Sequence, residues 1–362
     1  MSPQRLARVS LAVSPVRLAA CALAASLVSV SAGAAENGGQ RYSAGIGGSD
    51  MTAPLMPGWY FQAPVVAYHA KKIKGDNGKQ ATYQVPPSPP FVPAFTAALD
   101  IDTNVRAVQP RITYLDNTRL WGANIGFTMM LPIVQRHADF SLTAPAGAFG
   151  PFQSTVQAGL DAQAAQISGH VSGIGDFEMG GILHWELADN QAMTLVTTFV
   201  VPTGDYQADR RLNPGFGNFY TFRPSLQYSY IGDGWDFGMR GVLSFNTRNK
   251  DTGYRSGNVA NVDFQLMTFV SEDIRVGLQG FAVKQFQNDS QDVSYLADPS
   301  DAATITITNG NRMRAYGLGP AIGWLKDGGD MMVEGKFIKE FGARNRTEGQ
   351  AFWLTISKPL GL

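Results

Sequence analysis

Apolar and polar positions alternate with a period of two along most of this chain. The cleanest run is Trp121 to Ile133. Trp121, Ala123, Ile125, Phe127, Met129, Leu131 and Ile133 share one face, and Gly122, Asn124, Gly126, Thr128, Met130 and Pro132 the other. Such alternation sends successive side chains to opposite faces of a β-strand. The same split recurs from Phe222 to Tyr230, from Trp235 to Phe245 and from Tyr316 to Trp324. Extended over the chain, it predicts twelve strands: 59–70, 105–114, 121–134, 176–187, 192–202 and 220–231 in the first half. In the second half they fall at 234–246, 260–270, 273–286, 312–325, 331–341 and 350–358. Most have the length that a tilted strand needs to cross a bilayer.

The connections alternate as strictly as the residues. Short links are expected at Leu115–Leu120, Ala188–Gln191, Gly232–Asp233, Ser271–Glu272 and Lys326–Asp330. Long ones are expected at 71–104, 135–175, 203–219, 247–259, 287–311 and 342–349. That rhythm predicts an all-β, antiparallel up-and-down transmembrane barrel of about twelve strands, with short periplasmic turns and long extracellular loops. A sheet in hydrocarbon must close on itself, because every backbone donor and acceptor has to be paired. A soluble β-sandwich also alternates, but needs neither strands this long nor one face this lipophilic. Trp121, Trp185, Trp235 and Trp324 lie near strand ends, where an aromatic girdle belongs.

Composition narrows the class further. The 362 residues are only 16% charged, with 40 glycines and 11% aromatics. Lys plus Arg and Asp plus Glu balance at 29 each, so no basic field points to nucleic acid. A mean hydropathy of −0.09 is far below that of a helical membrane protein. Residues 1–34 read as a signal peptide: Arg5, Arg8 and Arg17, an apolar stretch from Leu18 to Val30, then Ala32-Gly33-Ala34. Cleavage near Ala35 leaves residues 35–362 as the barrel. Leu18-Ala19-Ala20-Cys21 also resembles a lipoprotein box, a competing reading in which Cys21 carries lipid.

Catalytic and metal chemistry finds little footing. The four histidines (His69, His137, His170 and His184) lack ligand spacing, and no G-x-S-x-G elbow surrounds a serine. No cofactor loop, basic stripe or amphipathic helix stands out, and neither cofactor nor metal is expected. The faces predicted to point into the lumen carry Arg111, Glu178, Glu186, Arg223, Asp236, Arg240, Arg275, Glu334 and Lys336. Such charges either brace the barrel as ion pairs or line a wet path. The face from Ala315 to Gly323 is nearly all Gly and Ala, leaving either open volume or room for a filler. Pro86 to Pro93 is too proline-rich for a strand. Loops 135–175 and 287–311, with Phe149, Phe152 and Ile305, are candidates for an inward-folded constriction or a solvated aromatic cluster.

Several motifs together resemble a known family. They are Glu36-Asn37-Gly38-Gly39, Gly122 to Phe127, Pro202-Thr203-Gly204-Asp205-Tyr206, Asn213 to Pro224, Asn246 to Gly257 and Glu340 to Gly349. The chain resembles the outer-membrane proteins described as involved in the meta-pathway of phenol degradation. Thr347 departs from the proline expected in the last motif. The resemblance implies a Gram-negative outer-membrane barrel associated with uptake of aromatic or other apolar compounds. The leading expectation is therefore a non-enzymatic channel for passive uptake of such solutes. Tyr206, Phe216, Phe219, Tyr220 and Tyr254 are its expected capture rim. Expected partners are outer-membrane lipid, lipopolysaccharide, the barrel-assembly machinery and the solutes themselves. A general diffusion porin for hydrophilic solutes and an outer-membrane lipid-modifying enzyme are the alternatives.

Overall fold

The computed structural model describes residues 39–87, 92–295, 309–326 and 330–361. The expected signal peptide, Cys21, Phe91 and Ile305 lie outside the described residues. Twelve staves close into an antiparallel barrel, sealed where the first pairs the last along its whole length. Nine staves are single strands: β1 (Gly58–Lys74), β9 (Gln191–Val201), β10 (Thr221–Gly232), β11 (Trp235–Asn246), β13 (Val259–Phe269), β14 (Ile274–Gln285), β16 (Arg314–Lys326), β17 (Met331–Arg344) and β18 (Arg346–Gly361). The other three are broken. The second stave runs as β3 (Phe95–Val108) and β4 (Arg111–Leu120), the third as β5 (Ala123–Met130) and β6 (Ile133–Thr143), the fourth as β7 (Gly169–Ile174) and β8 (Phe177–Ala188). Pro110 and Pro132 sit at two of these breaks, where a missing N–H interrupts the ladder.

All twelve expected strands are present, and the alternation holds. Leu226, Met239, Leu278, Ile322 and Phe352 face outward and are exposed, whereas their neighbours in sequence turn inward. Trp121, Trp235 and Trp324 are exposed near the end that carries the short turns. Outward aromatics at the other end pair across strands: Phe199 with Phe222 at 5.0 Å and Tyr316 with Phe341 at 5.8 Å between ring centroids. An apolar band between aromatic girdles is what a bilayer requires of a barrel.

The connections need correction in several places. Leu115–Leu120 is not a link but the end of β4, and Trp121 leaves the outward row to form a two-residue turn with Gly122. Trp121-Gly122 and Asp233-Gly234 both take positive φ at each position, the turn whose twist matches antiparallel strands. The expected long loop 342–349 is instead strand on both sides of Asn345, whose φ of 49° makes the reversal. Loop 71–104 is largely strand: β1 extends to Lys74, and β2 (Thr82–Val85) pairs with β3. Loop 135–175 folds onto the long staves, on the face whose row continues into the lumen wall at Ile101 and Thr103. Its helix α1 (Gln153–Ile167) buries Val156, Leu160 and Ala164 against Leu99, Leu142 and Tyr83. Loops 247–259 and 287–311 are tied by a two-residue ladder between β12 (Tyr254–Arg255) and β15 (Ser290–Gln291).

Candidate functional site

The lumen is occupied by residues 39–57, which belong to no stave. Starting at the loop end, Arg41 is clasped by Asp176 at 3.0 Å and by the carbonyls of Phe219 and Gly217. Its guanidinium also lies 3.7 Å over the Phe219 ring. Lower down, Asp263 on β13 accepts from the Tyr42 hydroxyl at 2.5 Å and from the backbone N–H groups of Gly45 and Gly47 at 3.0 and 2.9 Å. Glu334 accepts from the Ser49 N–H at 2.9 Å and from its hydroxyl. Lys336 donates to the Gly47 carbonyl at 2.7 Å, and Gln265 to Thr52 at 2.8 Å. The segment then passes Met56 and enters β1 at the turn end. Its glycines reflect close approach: a Cβ on Gly47 would stand 2.8 Å from the Cβ of Asp263.

This path settles the small-residue face. Ala315, Gly317, Gly319, Ala321 and Gly323 point inward and are covered. A Cβ on Gly323 would meet Arg275 at 3.0 Å and the Ser49 hydroxyl at 3.6 Å. The face makes room for large inward side chains of neighbouring staves, Phe281 and Ile338 over Gly317 and Arg275 over Gly323, with Ser49 of the N-terminal segment beside them.

The inward charges sit in pairs. Arg240 and Arg111 both face Asp50 of the segment, at 2.6 and 3.7 Å. Arg223 pairs with Glu178, and Arg275 with Asp236. Glu334 stands 3.9 Å from Lys336. Glu186 is different: it lies exposed at the turn rim, 3.8 Å from Arg119. Burial by itself pushes the Asp50 carboxyl up, but Arg240 and Arg111 outweigh it and hold the group below the usual carboxylate range.

The segment packs mainly against β10 to β17 and leaves two cavities. The turn-side cavity has a volume of about 590 Å³ and runs along β4 to β11, past Arg111, Thr128, Thr194, Thr198, Arg223 and Ser225. The loop-side cavity is about 260 Å³ and more apolar, walled by Val66, Val105, Val134, Phe216, Phe281 and Trp353. Tyr42 borders both.

The structure does not gather the five expected rim aromatics at one place. Phe216 borders the loop-side cavity with the Arg136 guanidinium 4.6 Å over its ring. Phe219 is buried beneath Arg41. Tyr220 is exposed, beside the outward-facing Phe222. Tyr254 bonds Asp289, and Tyr206 accepts from Asn249 at 3.2 Å, so both tie loops together. His184 lies in the lumen wall, 2.9 Å from Thr194, and among the described residues no His, Cys, Asp and Glu cluster could hold a metal. Sequence reasoning missed Asp50, Tyr42 and Asp263. The run Gly45-Ile46-Gly47-Gly48-Ser49-Asp50 has no period, and its only signal was glycine beside a lone acid.

One solved structure shares the fold at a TM-score above 0.5, and others are more distantly similar. An outer membrane channel from Pseudomonas putida F1 is 13% identical, with 85% of this chain and 97% of that one matched at a TM-score of 0.59. The β domain of the Bordetella autotransporter BrkA is 7% identical over 84% and 100%, with a TM-score of 0.43. The CymD monoaromatic hydrocarbon channel is 9% identical over 90% and 96%, with a TM-score of 0.38. A sequence comparison with curated proteins returns no match. The family model described as "Putative MetA-pathway of phenol degradation" matches residues 72–356, most of the barrel, and the chain belongs to that family.

Proposed function

We propose that this protein is an outer-membrane channel for passive uptake of small apolar or aromatic compounds, exported by a signal peptide cleaved near Ala35. The short turns face the periplasm and the long loops face outward. Outer-membrane lipid and lipopolysaccharide surround it, and the barrel-assembly machinery inserts it. The observation that carries this reading is the pair of cavities stacked along the lumen, both bordered by Tyr42. A solute entering past Phe216 meets apolar walls first and a hydroxyl-rich vestibule second. The phenol-degradation family fits that direction of travel, and the Pseudomonas putida relative in fold is itself named a channel. The chemistry proposed is binding and diffusion alone.

The polar lining of the turn-side cavity, with Thr128, Thr194, Thr198 and Ser225, favours a second reading, a general porin for hydrophilic solutes. Single-channel conductance of the refolded protein, with and without phenol, separates the two. Ohmic conductance reduced by phenol is expected. Conductance that phenol leaves unchanged, with sugar flux through the same barrel, would favour the porin. A folded but silent barrel would remove both.

A further inference from the structure

The loop-side cavity carries an imbalance that an apolar solute does not explain. Four arginines line it, Arg41, Arg136, Arg211 and Arg346, against a single carboxylate, Glu340. Arg41 is matched by Asp176 outside the lining, and Arg346 by Glu340 at 2.8 Å. Among the described residues the side chains of Arg136 and Arg211 make no ion pair or hydrogen bond; Arg136 overlies Phe216 and lies within electrostatic reach of Asp176. Four donors on the same walls, Arg136 Nε, Arg346 Nη1, Gln109 Nε2 and Trp353 Nε1, are buried without an acceptor. Gln109 and Trp353 are each only 3% exposed. A buried donor without an acceptor is costly, so native structures seldom leave several together.

Four of the five unmet groups here are donors, two of them on arginines, against one acceptor, Gln40 Oε1, and much of the surface between them is aromatic or aliphatic. The complement is a small ligand with an apolar ring and an anionic, acceptor-rich end. Guanidinium groups suit a carboxylate because two parallel N–H donors match its two oxygens. We infer that the loop-side cavity is a binding site for a small aromatic carboxylate, with Arg136 and Arg211 as its anion-binding pair and Phe216 and Trp353 beside the ring. This rests on the channel reading and gives it a substrate class: aromatic acids in preference to neutral arenes.

The test measures equilibrium binding of benzoate and its neutral isostere benzamide to the folded full-length barrel in detergent. Benzoate is expected to saturate at one site per barrel and to bind at least about tenfold more tightly than benzamide, the ratio that one charge-assisted contact supports. Arg136→Gln and Arg211→Gln should each weaken benzoate about tenfold while leaving benzamide within about twofold. Heat-modifiable mobility on gels confirms folding of each variant, and two variants on different elements keep the test decisive if one misassembles. Equal affinity for the two ligands, or benzoate binding indifferent to both substitutions, would overturn the proposal. Flux of phenol into proteoliposomes reports on the channel reading separately. Phenol entry without benzoate preference sinks only the aromatic-acid site. Benzoate binding as expected with no flux of either solute sinks only the channel.

Discussion

Asp263 concentrates the argument at the scale of single residues. It stands opposite Arg240 in the β11–β13 ladder, yet its oxygens take the Tyr42 hydroxyl and the Gly45 and Gly47 amides. One wall carboxylate thereby fixes three donors of a segment that has no ladder of its own. Hydrogen bonds to a charged group contribute about 1.5–3 kcal/mol each. Asp263→Asn keeps the size but removes the charge and turns an NH2 toward donors. The staves should assemble unchanged while the segment loosens, read as higher and noisier single-channel conductance than wild type. Conductance identical to wild type would mean that Asp263 does not hold the segment. Phe219 illustrates the opposite case. An aromatic in a motif beside a long loop reads as exposed from sequence, but the ring is buried because Arg41, seventeen residues before the first stave begins at Gly58, lies over it. No local pattern encodes that contact.

Elements divide into those whose faces alternate and those whose surroundings decide. The staves belong to the first group, since lipid outside and polar lumen inside impose period two on every strand, as in the run from Ala315 to Trp324. The breaks at Pro110 and Pro132 are also written in the sequence, although alternation alone predicts unbroken strands, 105–114 and 121–134, across both of them. Helix α1 belongs to the second group. Its sequence, QSTVQAGLDAQAAQI, shows little contrast between faces, and only the platform of β3 and β6 selects Val156, Leu160 and Ala164 as its buried side. Leu160 is fully buried there. Leu160→Ala should cost the loop-end layer about 2–5 kcal/mol. Because that core is separate from the one inside the barrel, the loss should stay local. Limited proteolysis should cut within 144–168 while the heat-modifiable barrel survives; a lowered barrel unfolding temperature would show the two layers to be coupled. The candidate site was half legible for the same reason. Arg111, Glu178, Arg223, Asp236, Arg240, Glu334 and Lys336 all project inward as alternation dictates, but their common geometry depends on a segment that does not alternate.

The whole molecule is a barrel that closes without its plug: twelve staves satisfy their own backbone groups, and residues 39–57 add only side-chain and cross-lumen bonds. Seating of the segment can therefore change while the barrel stays intact, and acid is the reagent that should reveal it. Asp50 lies between Arg240 and Arg111, and although burial opposes its charge, those arginines keep its carboxyl below the ordinary range. A group whose pKa is lowered on seating contributes its full stabilisation above its free value and loses it as pH falls through the lowered one. Free aspartate titrates near pH 4, so seating should be unaffected from neutral pH down to about that value. Below it, protonation leaves Arg240 and Arg111 facing a neutral group, and their repulsion favours withdrawal of the segment. Single-channel conductance should thus stay level from pH 7 to about 4 and rise below it. Asp50→Asn should bring the raised conductance to neutral pH and remove Asp50's share of the acid-dependent rise. Flat conductance into strong acid, together with wild-type behaviour of the variant, would mean that the remaining contacts at Asp176, Asp263 and Glu334 hold the segment without Asp50. In that event the two arginines are braces of the wall, and the plug is a permanent part of the lumen rather than a movable one.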